Sequence, residues 1–433
     1  MMNINPGNFC PSPWFHMHIQ PSGKLKFCRW QHQSIGHLES DLTQENFLKY
    51  FQEEMSTIRM DMLQGNSIPA CTECFTMENH NKISGRESQL LKVGIKRDNF
   101  DKTFRSSTFY NEFVKSSEKS GHTDLWPQDW QIDLGNQCNS NCIFCSPQYS
   151  SKLAAEFRKI GITNQMPLRN WTDDSNAVDH FVELLTQSKK LAYLHFLGGE
   201  TVIIPAFKKI LTELISRNLH RSISIGFTTN LTVWDQSVVD LLTQFKEVNL
   251  GLSVECLHPI NDYLRWPSKI NQVERTIEKW LNVAKDPQWL IHLRTTPTMF
   301  SIKHLTTIYE YAYKNSIGVE SCNFLERPEC LRMNVLPMHL RVKFADDIQQ
   351  WINSKSIPKS NEKIINFRDP NLLKQYIIKD AESYVKYLLD APDETHRLAD
   401  TISYIKKLEK SRGNTILDYV TSEYNEILQS AGY

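Results

Sequence analysis

The chain has 433 residues, enough for one large domain and one or two small ones around an ordinary hydrophobic core, so no disulfide scaffold is needed. Its 49 Lys and Arg balance 49 Asp and Glu; a formal net charge of zero disfavours nucleic acid and anionic membrane as partners. Met1 to Pro6 lack the basic-then-apolar plan of a secretory signal, and no apolar run reaches membrane-spanning length, so the expectation is a soluble, cytoplasmic protein.

Residues up to about Glu87 are rich in His, Cys, Trp, Met and turn residues, with one helix-like stretch from Glu45 to Leu63. Pro21-Ser22-Gly23 reads as a hairpin turn that carries Cys28 back toward Cys10 on an adjacent strand. Cys71-Thr72-Glu73-Cys74 then adds two thiolates from a knuckle, and four thiolates suffice for a tetrahedral zinc or an iron–sulfur site. His16, His18, His37 and His80 lie nearby and are further candidate ligands. A polar segment follows to about Leu125, a connector with one or two short helices.

From Trp130, short apolar strands alternate with amphipathic helices, the pattern of βα units on a parallel sheet. The strands are expected at Trp130–Leu134, Tyr193–Leu197, Ser222–Thr228, Glu247–Val254, Trp289–Thr295 and Gly318–Phe324. The helices between them are expected at Ser175–Ser188, Pro205–Asn218, Asp235–Phe245, Ile270–Ala284 and Ile302–Asn315. Six such units predict an α/β fold, a partial (βα)6 TIM-like barrel that curves without closing. After Pro337 the pattern is helical. The expected division is a small Cys-rich N-terminal domain (1–90), a connector (91–127), the barrel (128–337) and a helical C-terminal segment (338–433).

Directly after the first of these strands stands Cys138-x3-Cys142-x2-Cys145, with Phe144 before the last cysteine. In a reducing compartment clustered thiols read as metal ligands, and a loop at the C-terminal end of a parallel strand is where such sheets place active-site groups. Three thiolates on a four-iron cluster leave one iron open; a zinc knuckle is the competing reading of the triad alone. Cys256, Cys322 and Cys330 stand apart and read as small buried hydrophobes.

The triad resembles the signature of the radical S-adenosylmethionine (radical SAM) superfamily. That resemblance implies a 4Fe-4S cluster on Cys138, Cys142 and Cys145 that binds S-adenosylmethionine and cleaves it to a 5′-deoxyadenosyl radical, which abstracts hydrogen from a substrate. Leu197-Gly198-Gly199-Glu200 is similar to the family's GGE motif, which receives the methionine amine. Thr229 and Asn230, ending the third strand, and Ser253 and Glu255, at the fourth, put short polar groups at the rim. The resemblance implies Ser253 and Glu255 near the ribose, although many members carry Asp at the second position. Arg265 is implied as a partner of the methionine carboxylate, with a surface ion pair as the alternative. Arg294, a charge within a buried strand, must face the barrel mouth and cofactor or substrate, or find a partner.

Cys10, Gly23, Cys28 and the Cys71–Cys74 knuckle resemble the SPASM and twitch domains that hold an auxiliary 4Fe-4S cluster in many peptide-modifying radical enzymes. Such domains usually follow the radical domain, whereas this one precedes it. The implied partners are a peptide or protein side chain, or alternatively a small molecule, together with an electron donor such as flavodoxin or ferredoxin. A non-catalytic protein with zinc at both cysteine groups is the reading from a different class.

Overall fold

The structure is a computed structural model, and it describes residues 4–29, 31, 36–38, 44–123, 125–166, 169–321, 324–356 and 368–433. Two compact units are present: Met1–Gly135 with Leu168–Phe227 and Gln236–Val248, and Asn136–Pro167 with Thr228–Asp235 and Asn249–Tyr433. The strands are β1 (His16–Ile19), β2 (Lys24–Lys26), β3 (Gly36–His37), β4 (Asp129–Asp133), β5 (Tyr193–Leu197), β6 (Ser224–Thr229), β7 (Glu247–Ser253), β8 (Trp289–Thr295) and β9 (Gly318–Ser321). Strands β6 and β7 contribute residues to both units, so the order is β3-β2-β1-β4-β5-β6-β7 in the first and β6-β7-β8-β9 in the second.

In the first unit, β4, β5 and β6 run parallel, as their alternation with helices requires. The helices Ser175–Thr186 and Pro205–Ser216 bury Val178, Phe181, Val182 and Leu185, and Phe207, Ile210, Leu211 and Leu214. These are spacings of three and four, one apolar stripe per helix, and each such side chain contributes roughly 1.5–3 kcal/mol on burial. The stretch expected as a helix from Glu45 is helical from Gln44 to Leu63, with a wider turn over Tyr50–Glu54.

The hairpin at Pro21 to Gly23 forms as expected: Gly23 donates its N–H to the Gln20 carbonyl at 2.8 Å, with φ at +87°. A Cβ there would lie 2.9 Å from the Leu38 carbonyl oxygen, so only glycine fits. What composition did not indicate is that this Cys-rich segment joins the main sheet. Strand β1 pairs in parallel with β4, His16 opposite Asp129 and His18 opposite Gln131. The two histidines that resemble ligands are bonded to aspartates of β4, His16 to Asp129 at 2.8 Å and His18 to Asp133 at 2.9 Å. His80 holds the Thr76 carbonyl at 2.9 Å.

In the second unit, β8 alternates rather than being buried on both faces. Trp289, Ile291, Leu293 and Thr295 are buried, while Leu290, His292 and Arg294 are half-buried on the other face. The buried face meets the helix Ile270–Val283, whose Trp280 ring lies 5.8 Å from Trp289. The C-terminal part is helical, at Met338–Asn353, Pro370–Asp390, Leu398–Arg412 and Ser422–Ser430. No helix among the described residues is long and apolar enough to cross a membrane. Cys256 is fully buried and Cys330 half-buried, whereas Cys322 lies outside the described residues.

Candidate active site

The loop that follows β4 carries the cysteine triad, and its backbone is bonded on every side within the second unit. Asn141 donates its N–H to the Trp266 carbonyl at 2.7 Å and Ile143 to the Leu264 carbonyl at 2.9 Å, which lays the loop along residues 264–266. The Ser140 carbonyl accepts from the Ser150 hydroxyl at 2.9 Å. Asn230 donates from Nδ2 to Asn139 Oδ1 at 2.7 Å and Ser140 Oγ at 3.1 Å, so this predicted rim residue holds the loop itself. Thr229 is buried, and its hydroxyl caps the Leu231 N–H at 3.2 Å.

Two contacts come from the C-terminal helix Leu398–Arg412. The Tyr404 hydroxyl donates to the Ile143 carbonyl at 2.6 Å, and Arg412 donates from Nη2 to the Asn141 carbonyl at 2.8 Å. Arg412 also forks onto Glu156, at 2.9 Å from Nε and 2.7 Å from Nη2. Asn141 donates to the same carboxylate at 2.9 Å. Sequence reading missed Tyr404, Arg412 and Glu156; the polar Asn139-Ser140-Asn141 run between the cysteines is the trace they leave in it.

The three thiols share one neighbourhood. Burial pushes the Cys145 thiol up, and the charges of Cys142 and Cys138 push it further. Burial also raises Cys142, against the pull of Arg265 and Arg412. Phe144 is half-buried, with the Arg265 guanidinium carbon 5.8 Å from its ring centre. Among the described residues no three His, Cys, Asp or Glu side chains converge as the ligands of a single metal ion do. A four-iron cluster sets another demand, since each thiolate takes its own iron. Mutually coupled thiols beside buried cations fit that demand. So does Arg412 Nη1, a buried donor with no partner among the described residues.

Arg265 is buried and donates from Nη1 to Glu255 Oε1 at 2.7 Å, so it is neither exposed nor a surface ion pair. The other oxygen of Glu255 accepts from the Thr296 N–H at 2.7 Å and the Thr295 hydroxyl at 3.2 Å. Burial raises the Glu255 carboxyl above its ordinary value, although Arg265 pulls it the other way. Burial alone would lower Arg265, and the Cys142 thiol and Glu255 carry it upward instead. Ser253 is half-buried at the end of β7. Arg294 donates to the Thr228 hydroxyl at 2.9 Å and lies 4.0 Å from Glu320. Gly251 makes room for this pair, since a Cβ there would meet Thr228 Oγ1 at 3.1 Å and Arg294 Cδ at 3.3 Å.

Two further features belong to the first unit. Gly198 has φ at +136°, and a Cβ on it would lie 2.6 Å from the Gly135 carbonyl oxygen, so the turn after β5 requires glycine there. Gly199 donates its N–H to that oxygen at 2.9 Å, and Glu200, buried, caps the Val202 N–H at 3.4 Å. Separately, Cys10, Cys28, Cys71 and Cys74 line one cavity of about 130 Å³ together with His16, Lys92 and Asp129. Burial, then the charges of Cys10, Cys28 and Cys74, push the Cys71 thiol up; burial holds Cys10 at about 11. Burial alone would raise Asp129, yet Lys92 and His16 carry it well below the usual carboxylate range.

Residues 132–299 match the family model described as the Radical SAM superfamily. The match makes this segment similar to radical SAM domains. Domains of that superfamily belong to enzymes that use radical chemistry with a 4Fe-4S cluster and S-adenosylmethionine, and the matched segment takes in the triad loop, Gly198–Glu200, Asn230, Glu255 and Arg265. Among solved structures, Streptococcus suis SuiB bound to S-adenosylmethionine is similar at 19% identity, covering 69% of this chain and 63% of that one, with a TM-score of 0.39. Native anSMEcpe with bound AdoMet is similar at 17% identity over 52% of this chain and 60% of that one, with a TM-score of 0.38. Streptococcus suis SuiB bound to precursor peptide SuiA gives 14% identity over 72% and 63%, with a TM-score of 0.35. The chain thus spans less than two thirds of the length of each of these. No curated protein matches it.

Proposed function

We propose that the protein reductively cleaves S-adenosylmethionine and uses the resulting radical to abstract hydrogen from a peptide or protein side chain. The observation that carries this reading is the radical SAM match over residues 132–299, with the triad on the loop after β4. Cys138, Cys142 and Cys145 hold the 4Fe-4S cluster, which supplies an electron to the bound sulfonium. The chain's own residues do the rest. Asn141, Asn230 and Ser150 fix the loop, and Arg265 keeps a positive charge beside Cys142 and the Phe144 ring. Gly198 and Gly199 bring backbone close to the ligand, with Glu200 as an acceptor for its amine; Thr229, Ser253 and Arg294 line the ribose and substrate side, and Glu255 holds Arg265 in place.

The cavity of Cys10, Cys28, Cys71 and Cys74 holds the auxiliary 4Fe-4S cluster in this reading, carrying electrons within a SPASM- or twitch-like segment that spans 1–90. The connector 91–127, core 128–337 and helical segment 338–433 complete the functional division. The substrate class follows from the resemblance of that cysteine pattern to domains of peptide-modifying enzymes, and a flavodoxin or ferredoxin is the reductant. Anaerobic reconstitution with iron and sulfide, then dithionite and S-adenosylmethionine, is expected to give 5′-deoxyadenosine, which the Cys142→Ala variant does not form. Freshly purified protein that contains about two zinc and no iron or sulfide overturns the reading in favour of a zinc protein.

A further inference from the structure

The radical SAM match ends at residue 299, whereas two of the contacts that hold the triad loop come from the helix Leu398–Arg412, far beyond it. Tyr404 and Arg412 stand about two turns apart on that helix. They reach carbonyls on either side of Cys142, those of Ile143 and Asn141, at 2.6 and 2.8 Å. A carbonyl held by a buried charged donor is fixed more firmly than one held by a neutral group. The Arg412 side chain is 1% exposed and its guanidinium carbon lies 5.4 Å from the Trp266 ring centre, so its charge is little screened by water. Glu156 occupies Nε and Nη2, while Nη1 is a buried donor with no partner among the described residues. The geometry therefore joins a mechanical hold and a nearby positive charge in one side chain.

We propose that Tyr404 and Arg412 are positioning residues for the cluster loop, and that Arg412 also supplies a buried positive charge that favours the reduced state of the cluster on Cys138, Cys142 and Cys145. This rests on the radical SAM reading above. An electron added to the cluster from a reductant places negative charge beside a cation in a medium of low dielectric, so the reduced form gains more than the oxidised one. Tyr404 carries no charge and contributes position alone.

The test uses the full chain, reconstituted anaerobically and titrated with dithionite, following the electron paramagnetic resonance signal that shifts when S-adenosylmethionine is added. Arg412→Gln is expected to lower the equilibrium constant for reduction about tenfold, equivalent to ~59 mV for a one-electron couple. Arg412→Lys keeps the charge and stays within about twofold of the wild type, yet loses iron to a chelator several-fold faster because it lacks the fork. Tyr404→Phe leaves the constant unchanged and speeds iron loss. If Arg412→Gln cannot hold the cluster, Glu156→Gln reads the charge from the other side: it leaves the Arg412 cation without its counter-charge and is expected to raise the equilibrium constant for reduction. Variants that hold the cluster with unchanged reduction constant, spectrum and iron loss overturn this inference alone. A wild-type protein without any signal sensitive to S-adenosylmethionine overturns the radical SAM reading beneath it.

Discussion

Arg265 and Glu255 form a buried ion pair, Nη1 to Oε1 at 2.7 Å, across the turn that follows β7. A pair of this kind is costly to break from one side, because the remaining charge has no water to receive it. Arg265→Ala is expected to destabilise the protein by about 3–5 kcal/mol in urea unfolding. Adding Glu255→Gln to that variant is expected to restore more than half of the loss. Equal stability of the single and double variants would show that the pair does not set the fold of this turn.

Gly198→Ala tests the turn after β5. The new Cβ would meet the Gly135 carbonyl at 2.6 Å in a backbone conformation with φ at +136°. The carbonyl oxygen is a backbone atom and the Cβ is fixed rigidly to the backbone, so relief requires the ends of β4 and β5 to move apart. A loss of about 1–3 kcal/mol is expected, read as a lower thermal midpoint. A variant that melts with the wild type would place the strain elsewhere.

The pH dependence of stability has an identifiable contributor in His304. Its ring stacks on His258 with centres 3.8 Å apart, and burial, then His258 and Lys303, hold it down to about 4. Below the ordinary histidine value of 6.5 the unfolded chain binds a proton that the folded chain refuses, so this residue lowers stability as pH falls from about 6.5 toward 4. Urea midpoints of the wild type and His304→Phe, compared over that range, are expected to diverge, with the variant falling less. Parallel curves would remove His304 from the acid limb.

Replacing two of the N-terminal cysteines tests the proposed auxiliary cluster. Cys71→Ala/Cys74→Ala is expected to lower reconstituted iron by about four per chain while the signal sensitive to S-adenosylmethionine persists. Iron unchanged from the wild type would leave the cavity without a cluster.

Much of this architecture can be read from local pattern. Strands β5 and β8 run over Tyr193–Leu197 and Trp289–Thr295 as their composition predicts, and the other core strands differ at their ends by a few residues. Gly198 and the hairpin glycine Gly23 announce themselves because a close backbone approach admits nothing else. Strand β1 was hidden, since His16 and His18 look like ligands until Asp129 and Asp133 are beside them. Arg265 and Glu255 each look available to a ligand in the sequence, and only folding pairs them over ten positions. Tyr404 is 261 residues from the carbonyl it holds, a distance at which no periodicity or motif carries information.

The place of β1 sets a limit on how the protein can be shortened. Cut to begin at Asp129, the chain would present β4 as an open sheet border, ready to pair with another molecule. Asp133 would sit on that border stripped of its histidine. The leading cysteine-bearing stretch is thus a structural wall of the first unit's sheet, and a shortened chain for engineering has to keep it.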